Sequence, residues 1–362
     1  MTGASAAVRF TRYQVAVVAI LAFLQFTVVL DFMILSPLGA MLMHDLAVVP
    51  AQFGLVVSAY AFSACISGLL AAGFADKFDR KKLLLFFYTG FVVGTLLCGF
   101  APSYGFLLGA RAVTGLFGGV IGSISMAIVA DLFPLEARGR VMGFVMTAFA
   151  GSQVLGIPLG LYISSAWGWH APFLMIAAVS AVVGVVIFTT LRPIDAHLHN
   201  RVDRQPLHHL IATVLKPRHQ WGFAATVLLA LGGYMLMPFG SAFSVHNLAI
   251  PIEKLPMIYM ATGLAALFAG PLMGRLSDVV GKYRTFAAGS LVAIALVLYY
   301  TRLGVTPIGV VMAINVAMFS AISARMVSAQ ALASAIPGPQ DRGAYMSISS
   351  SMQQLAGGVA SA

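Results

Sequence analysis

"GFADKFDRKK", residues 73–82, carries six charged side chains in ten positions. The chain as a whole is only 9% charged, and this stretch sits between two long apolar runs. Charge concentrated in this way marks a water-exposed turn between two membrane-crossing helices. The same alternation of long apolar run and short charged turn recurs along the chain.

Of the 362 residues, 60% are hydrophobic, and the mean hydropathy is +0.94. Soluble domains lie nearer half apolar and a quarter charged. A helix needs about 20 mainly apolar residues to cross a bilayer. Windows of that kind place span 1 at 13–43, span 2 at 52–75, span 3 at 83–101, span 4 at 105–130, span 5 at 141–166 and span 6 at 171–191. A polar segment, 192–220, follows. Span 7 is expected at 221–247, span 8 at 256–274, span 9 at 285–301, span 10 at 307–333 and span 11 from about 343. The runs are continuously apolar and do not alternate, which argues against a β-barrel. The first run is too long for the apolar core of a signal peptide. The chain stops in "LAGGVASA", part-way through an apolar segment, so a further helix is expected beyond it.

The net charge of +10 is spread in a way that excludes a nucleic-acid surface. With the N-terminus inside, the inner segments hold 18 of the 21 basic residues, Arg325 counted among them. Lys254 and Arg302 fall outside, and Arg111 falls within span 4. This bias predicts a cytoplasmic N-terminus. Cys65 and Cys98 both lie in apolar runs and read as packing residues. The histidines His197, His199, His208, His209 and His219 cluster in the polar segment without a fixed ligand geometry, so no metal site is expected. No phosphate loop, nucleophile triad or metal-ligand spacing points to an enzyme or to ATP-driven transport.

A second copy of the opening turn appears as "GRLSDVVGKYR", 274–284. Asp278 follows Asp76 by 202 residues, and at the same offset Lys282 matches Arg80 and Arg284 matches Lys82. The chain therefore divides into a six-helix half at 1–191, a central linker at 192–220 and a second bundle at 221–362, holding spans 7 to 11 with span 12 absent.

With these features the sequence resembles the major facilitator superfamily, in its drug and metabolite:proton antiporter branch. That family's turn signature is Gly, three residues, Asp, a basic residue, any residue, Gly and two basic residues. The first copy supplies Asp76, Lys77, Arg80 and Lys81, with Ala72 and Asp79 in the glycine positions. The second supplies Gly274, Asp278, Gly281 and Lys282. "RAVTG", 111–115, matches the family's Arg-x-x-x-Gly, and "GSQVLGIPLG" in span 5 is similar to its Gly/Pro-rich antiporter motif, departing where one residue separates Gly156 from Pro158. The resemblance implies an all-α polytopic fold of two pseudo-symmetric six-helix bundles. It implies a monomeric exporter of small molecules, driven by the proton gradient with no bound cofactor, in the cytoplasmic (inner) membrane. It also implies that Asp76 helps to latch the halves together, the simpler reading of the turn being a topology anchor.

Asp31 is the sole acid deep in an apolar run. Charge is costly there, which suits a proton or substrate role or a structural pairing with Arg111 or Gln153. Arg111 is read either as a cavity residue or as an arginine reaching the outer interface. Gln153, Tyr234 and Asn315 are candidate cavity residues alongside Gln25, Gln353 and Gln354. Gly151, Gly156, Pro158 and Gly160 allow close packing and a bend in span 5. An importer of sugars or metabolites, by symport or facilitated diffusion, is the second reading. A membrane sensor without transport is the third.

Overall fold

The structure, a computed structural model, describes residues 10–74, 77–195, 212–338 and 341–362. Among them ten helical stretches are long and apolar enough to cross a bilayer. In order they are α1 (Arg12–Asp45), α2 (Pro50–Phe74), α3 (Arg80–Gly99), α4 (Tyr104–Leu132), α5 (Leu135–Gly151) continuing through one wider π turn (Ser152–Gly156) into α6 (Ile157–Trp167), and α7 (His170–Thr190). After the linker come α8 (Pro217–Tyr234) and α9 (Gly240–His246), which together form span 7. α10 (Leu255–Val280), α11 (Lys282–Tyr300) and α12 (Ile308–Ser334) follow as spans 8 to 10. A shorter-range helix, α13 (Arg342–Ser361), stands for span 11. It is not among the ten, because five serines and two glutamines lower its hydropathy. That composition fits a helix packed by protein on both sides, against α2 and α8.

Three boundaries differ from expectation for physical reasons. α10 runs six residues past 274, so Gly274 and Asp278 lie inside the helix and the second charged turn shrinks to Gly281. Gly281 takes φ +104°, a conformation that a side chain disfavours. In the first copy the corresponding Asp79 has φ −57°, so no glycine is needed there, and its carboxylate caps α3 by accepting from the Lys82 amide. Span 7 begins at Pro217, which suits a first helical turn. It breaks after Tyr234 into a 3-10 turn at Met237–Phe239, opened by Pro238.

Glycines set how closely the N-terminal helices approach. A Cβ on Gly94 would lie 2.8 Å from the Thr114 backbone, one on Gly115 2.3 Å from the Tyr60 carbonyl, and one on Gly119 2.6 Å from the Ala64 Cα. α4 is thereby pressed against both α3 and α2, as small residues allow in a membrane. The apolar core follows this packing. Leu30, Ile34, Leu38, Leu107 and Trp169 fill the end away from the linker, and Leu21, Leu84, Phe91, Ile121 and Ile128 fill the linker end.

The two halves meet along α2 and α13, where α10 crosses the π turn and α6 of span 5, and at the far end of α1. Ser58 Oγ donates to the Gly358 carbonyl at 2.7 Å, and a Cβ on Gly54 would lie 1.9 Å from the Ser361 carbonyl oxygen. Ser241 Oγ donates to the Ser36 carbonyl at 2.6 Å, and Ser36 Oγ donates back to the Met237 carbonyl. These contacts join the halves on the side opposite the charged turns.

Candidate functional site

Asp31 lies nineteen residues into α1 and is fully buried. The close approach of α3 and α4 brings two partners to it. Arg111 Nη1 donates to Asp31 Oδ2 at 2.7 Å, and Thr95 Oγ1 donates to Asp31 Oδ1 at 3.0 Å. The Arg111 guanidinium stands 4.7 Å from the centre of the Tyr60 ring on α2, in cation–π contact. Four helices therefore converge on one ion pair with no exposed surface on either member.

Burying two charges costs several kcal/mol per ion, offset only by close geometry and complete hydrogen bonding. Asp31 meets that condition, with both carboxylate oxygens engaged. Arg111 does not: its Nε and Nη2 are buried and have no hydrogen-bond partner among the described residues. The guanidinium keeps unused donors beside the carboxylate. Thr27, one turn before Asp31, is turned elsewhere and hydrogen-bonds the Tyr88 hydroxyl at 2.9 Å.

The other expected cavity residues separate. Tyr234 packs on Phe32 across the boundary between the halves. With Leu35, Ser36, Val57, Met237 and Pro238 these residues line a small cavity of about 10 Å³, room for about one water. Gln153 sits in the π turn, with its side-chain amide against Met33 Sδ. Its backbone carbonyl is so close to Gly263 of α10 that a Cβ there would lie 2.8 Å away. Asn315 bonds back to the Val311 carbonyl of its own helix. Gly156 and Gly160 of the span-5 motif press on Leu30 and Ile34 of α1, whereas Gly151 only touches Phe26. Pro158 lies inside the continuous helix of span 5, directly after the π turn, where its missing N–H removes one bond from the ladder. A second, wholly apolar cavity of about 90 Å³ opens where this motif meets Leu30 and Met175.

Of the first charged turn, Asp76 lies outside the described residues. Lys77 is exposed, and Lys81 donates to the Phe188 carbonyl at 2.8 Å. Arg80 is buried, with Nε 3.2 Å from Asp131 Oδ2 at the end of α4. Asp79 Oδ2 accepts from the Ile194 amide at 2.7 Å, and the Arg80 amide donates to the Ile194 carbonyl at 3.0 Å. The turn thus ties α3 to α4 and to the start of the linker. In the second copy, Asp278 and Lys282 form only an exposed pair at 3.7 Å.

Four participants were not singled out from the sequence as site residues: Thr95, Tyr60, Asp79 and Asp131. No local pattern marks Thr95 or Tyr60. Asp131 could have been found as the remaining acid at a span end able to face Arg80. Arg325 requires a correction. It was assigned to the inner loops, but it lies inside α12, nine residues before Ser334, with Nη2 donating to the Leu229 carbonyl at 3.2 Å. Nine helical residues rise about 13 Å, too far for the side chain to reach the helix end. Among the described residues there is no cluster of three or more His, Cys, Asp or Glu able to hold a metal ion.

Residues 21–361 match the sequence profile of the Major Facilitator Superfamily. The chain is 26% identical to the uncharacterized MFS-type transporter YbcL of Bacillus subtilis, over 93% of this chain and 85% of that one. It is also 26% identical to a bicyclomycin resistance protein homolog of Haemophilus influenzae, over 87% and 80% of the two chains. Its fold superposes on the crystal structure of a D-xylose-proton symporter with a TM-score of 0.77 at 16% identity, covering 96% of this chain and 89% of the symporter.

Proposed function

The chain belongs to the major facilitator superfamily, and from that premise we propose that it exports small drug-like or metabolite molecules across the cytoplasmic membrane by proton antiport. It is a multi-pass membrane transporter, not an enzyme. The linker and both charged turns then face the cytoplasm, in keeping with the distribution of basic residues. The two halves rock about the boundary where α13 meets α2 and α10 meets span 5, exposing the cavity between them to each side in turn.

One observation carries the proton-coupling part of this reading: the buried Asp31–Arg111 pair in which the arginine is left partly unsatisfied. A pair kept for stability alone would have its donors filled. Protonation of Asp31 removes the charge that holds Arg111, and loss of the proton restores it. A site that switches between these states can exchange a proton with one side of the membrane while cargo is exchanged with the other. Thr95 and Tyr60 hold the two ions in place, by a hydrogen bond and by the ring face. The mainly apolar boundary between the halves, with Phe32, Val57, Tyr234 and Met237, suits a lipophilic or weakly polar cargo.

Inside-out vesicles test this directly. An acid-inside gradient should drive cargo uptake by the unmodified chain, measured over a panel of lipophilic drugs. Asp31→Asn fixes the neutral form, so it should abolish gradient-driven uptake and leave cargo binding intact. Normal gradient-driven flux in that variant would remove Asp31 from the coupling mechanism.

A further inference from the structure

Arg325 is a second arginine within the membrane span, and nothing in the proton-coupling pair uses it. Among the described residues of the C-terminal half the acids are Glu253, Asp278 and Asp341, each within three residues of a helix end. Asp341 is occupied by Lys216 at 2.6 Å. Arg325 instead meets a single neutral carbonyl, that of Leu229, and its Nε is buried without a hydrogen-bond partner. Arg325 is only partly exposed, and one neutral acceptor does little to offset the water that it has lost.

The space beside the guanidinium is open. Gly232 and Gly233 of α8 are both exposed. A Cβ on Gly232 would meet only Arg325 Nη2, at 3.7 Å, and one on Gly233 would meet nothing within 4 Å. Leu229 and Gly233 are spaced by four and so share one face of α8, and Met237 follows just beyond the break at the end of that helix. Met237 belongs to the cavity between the halves, with Phe32, Tyr234 and Pro238. α8 therefore runs from the Leu229 carbonyl beside Arg325, past an empty glycine position, to the break whose Met237 lines that apolar cavity.

We infer that Arg325 is the recognition group for the carboxylate of an amphiphilic organic acid, whose apolar body lies along Gly233 towards Met237. Nε and Nη2 form one edge of the guanidinium, which matches the two oxygens of a carboxylate. The break in span 7 at Met237–Phe239 gives the apolar end of the ligand a flexible methionine and an aromatic ring to pack on. This assignment rests on the reading as a transporter with a cavity between its halves, and it names the class of cargo. It does not depend on proton coupling, so binding measured without a gradient tests it separately.

The test is calorimetric titration of the purified full chain with 4-phenylbutyrate and with its uncharged analogue 4-phenylbutan-1-ol at pH 7. The acid should bind at least about ten-fold more tightly than the alcohol, the scale of one charge-assisted contact. Arg325→Gln should bring the acid down to the level of the alcohol and leave the alcohol unchanged, and Arg325→Lys should keep part of the preference. Gly233→Met, at a site where an added Cβ meets nothing within 4 Å, should leave folding intact and weaken both ligands. The assignment is overturned if neither ligand binds, if acid and alcohol bind equally, or if Arg325→Gln keeps the acid's advantage. Retained binding of both in Gly233→Met would overturn the path along α8.

Discussion

In the N-terminal half Arg111 meets Asp31 at 2.7 Å, whereas in the C-terminal half Arg325 meets a backbone carbonyl at 3.2 Å. The charged turns differ in the same sense. Arg80 is buried against Asp131, and Asp79 caps α3 while holding the linker at Ile194. Asp278 and Lys282 make an exposed pair on the surface of α10 and α11. An internal repeat can thus copy the path of the chain without copying its internal charge pairing. The N-terminal half pairs its buried arginines with carboxylates, and the C-terminal half leaves Arg325 with no acidic partner among the described residues.

The sharpest way to break this contrast is to remove each arginine in turn. Arg111→Leu strands the Asp31 carboxylate in the core and should destabilise the protein by about 3–5 kcal/mol, read as a lowered thermal midpoint in detergent. The double change Asp31→Leu with Arg111→Leu should recover most of that loss, because no isolated charge remains. Arg325→Leu should cost about 1 kcal/mol, since it gives up one bond to a neutral carbonyl and strands no ion. Equal losses for Arg111→Leu and Arg325→Leu would erase the distinction between the halves.

The turns give a smaller difference. Arg80→Gln should cost about 1.5–3 kcal/mol, the range for a hydrogen bond to a charged partner that is largely buried. Lys282→Gln should stay within about 0.5 kcal/mol, as for any exposed pair. The same unfolding midpoints measure both. A Lys282 variant as damaged as the Arg80 variant would mean that the second turn bears on something its exposed geometry does not reveal.

The smallest effects concern the backbone at the equivalent turn positions. Gly281→Ala forces a side chain into φ +104° and should destabilise by about 1 kcal/mol. Asp79→Gly keeps an ordinary backbone and gives up its cap on α3, a few tenths of a kcal/mol, plus its bond to the Ile194 amide. Hydrogen exchange at Lys82 and Ile194 in the Asp79 variant should rise while the rest of α3 stays protected. Unchanged exchange at Ile194 would show that Asp79 does not hold the linker.

The sequence by itself determined the membrane class, the order of the spans, the duplicated turn and the presence of two ions in the first bundle. Each of these follows from the free energy of placing a side chain in hydrocarbon, which depends on the residue and its near neighbours along the chain. It also marked span 5 as a place where a helix would bend, because glycine and proline act locally. Only the tertiary structure decided which charges meet. Asp31 and Arg111 are 80 residues apart, and what joins them is the glycine-permitted approach of α4 to α2 and α3. Thr95 and Tyr60 have no mark in the sequence, since a hydroxyl or a ring in an apolar run reads the same whether it faces a carboxylate or a lipid. Arg325 was visible as a charge, but its place was not. Its distance from water depends on where α12 ends and on what α8 leaves open beside it, and both are set by how the helices pack.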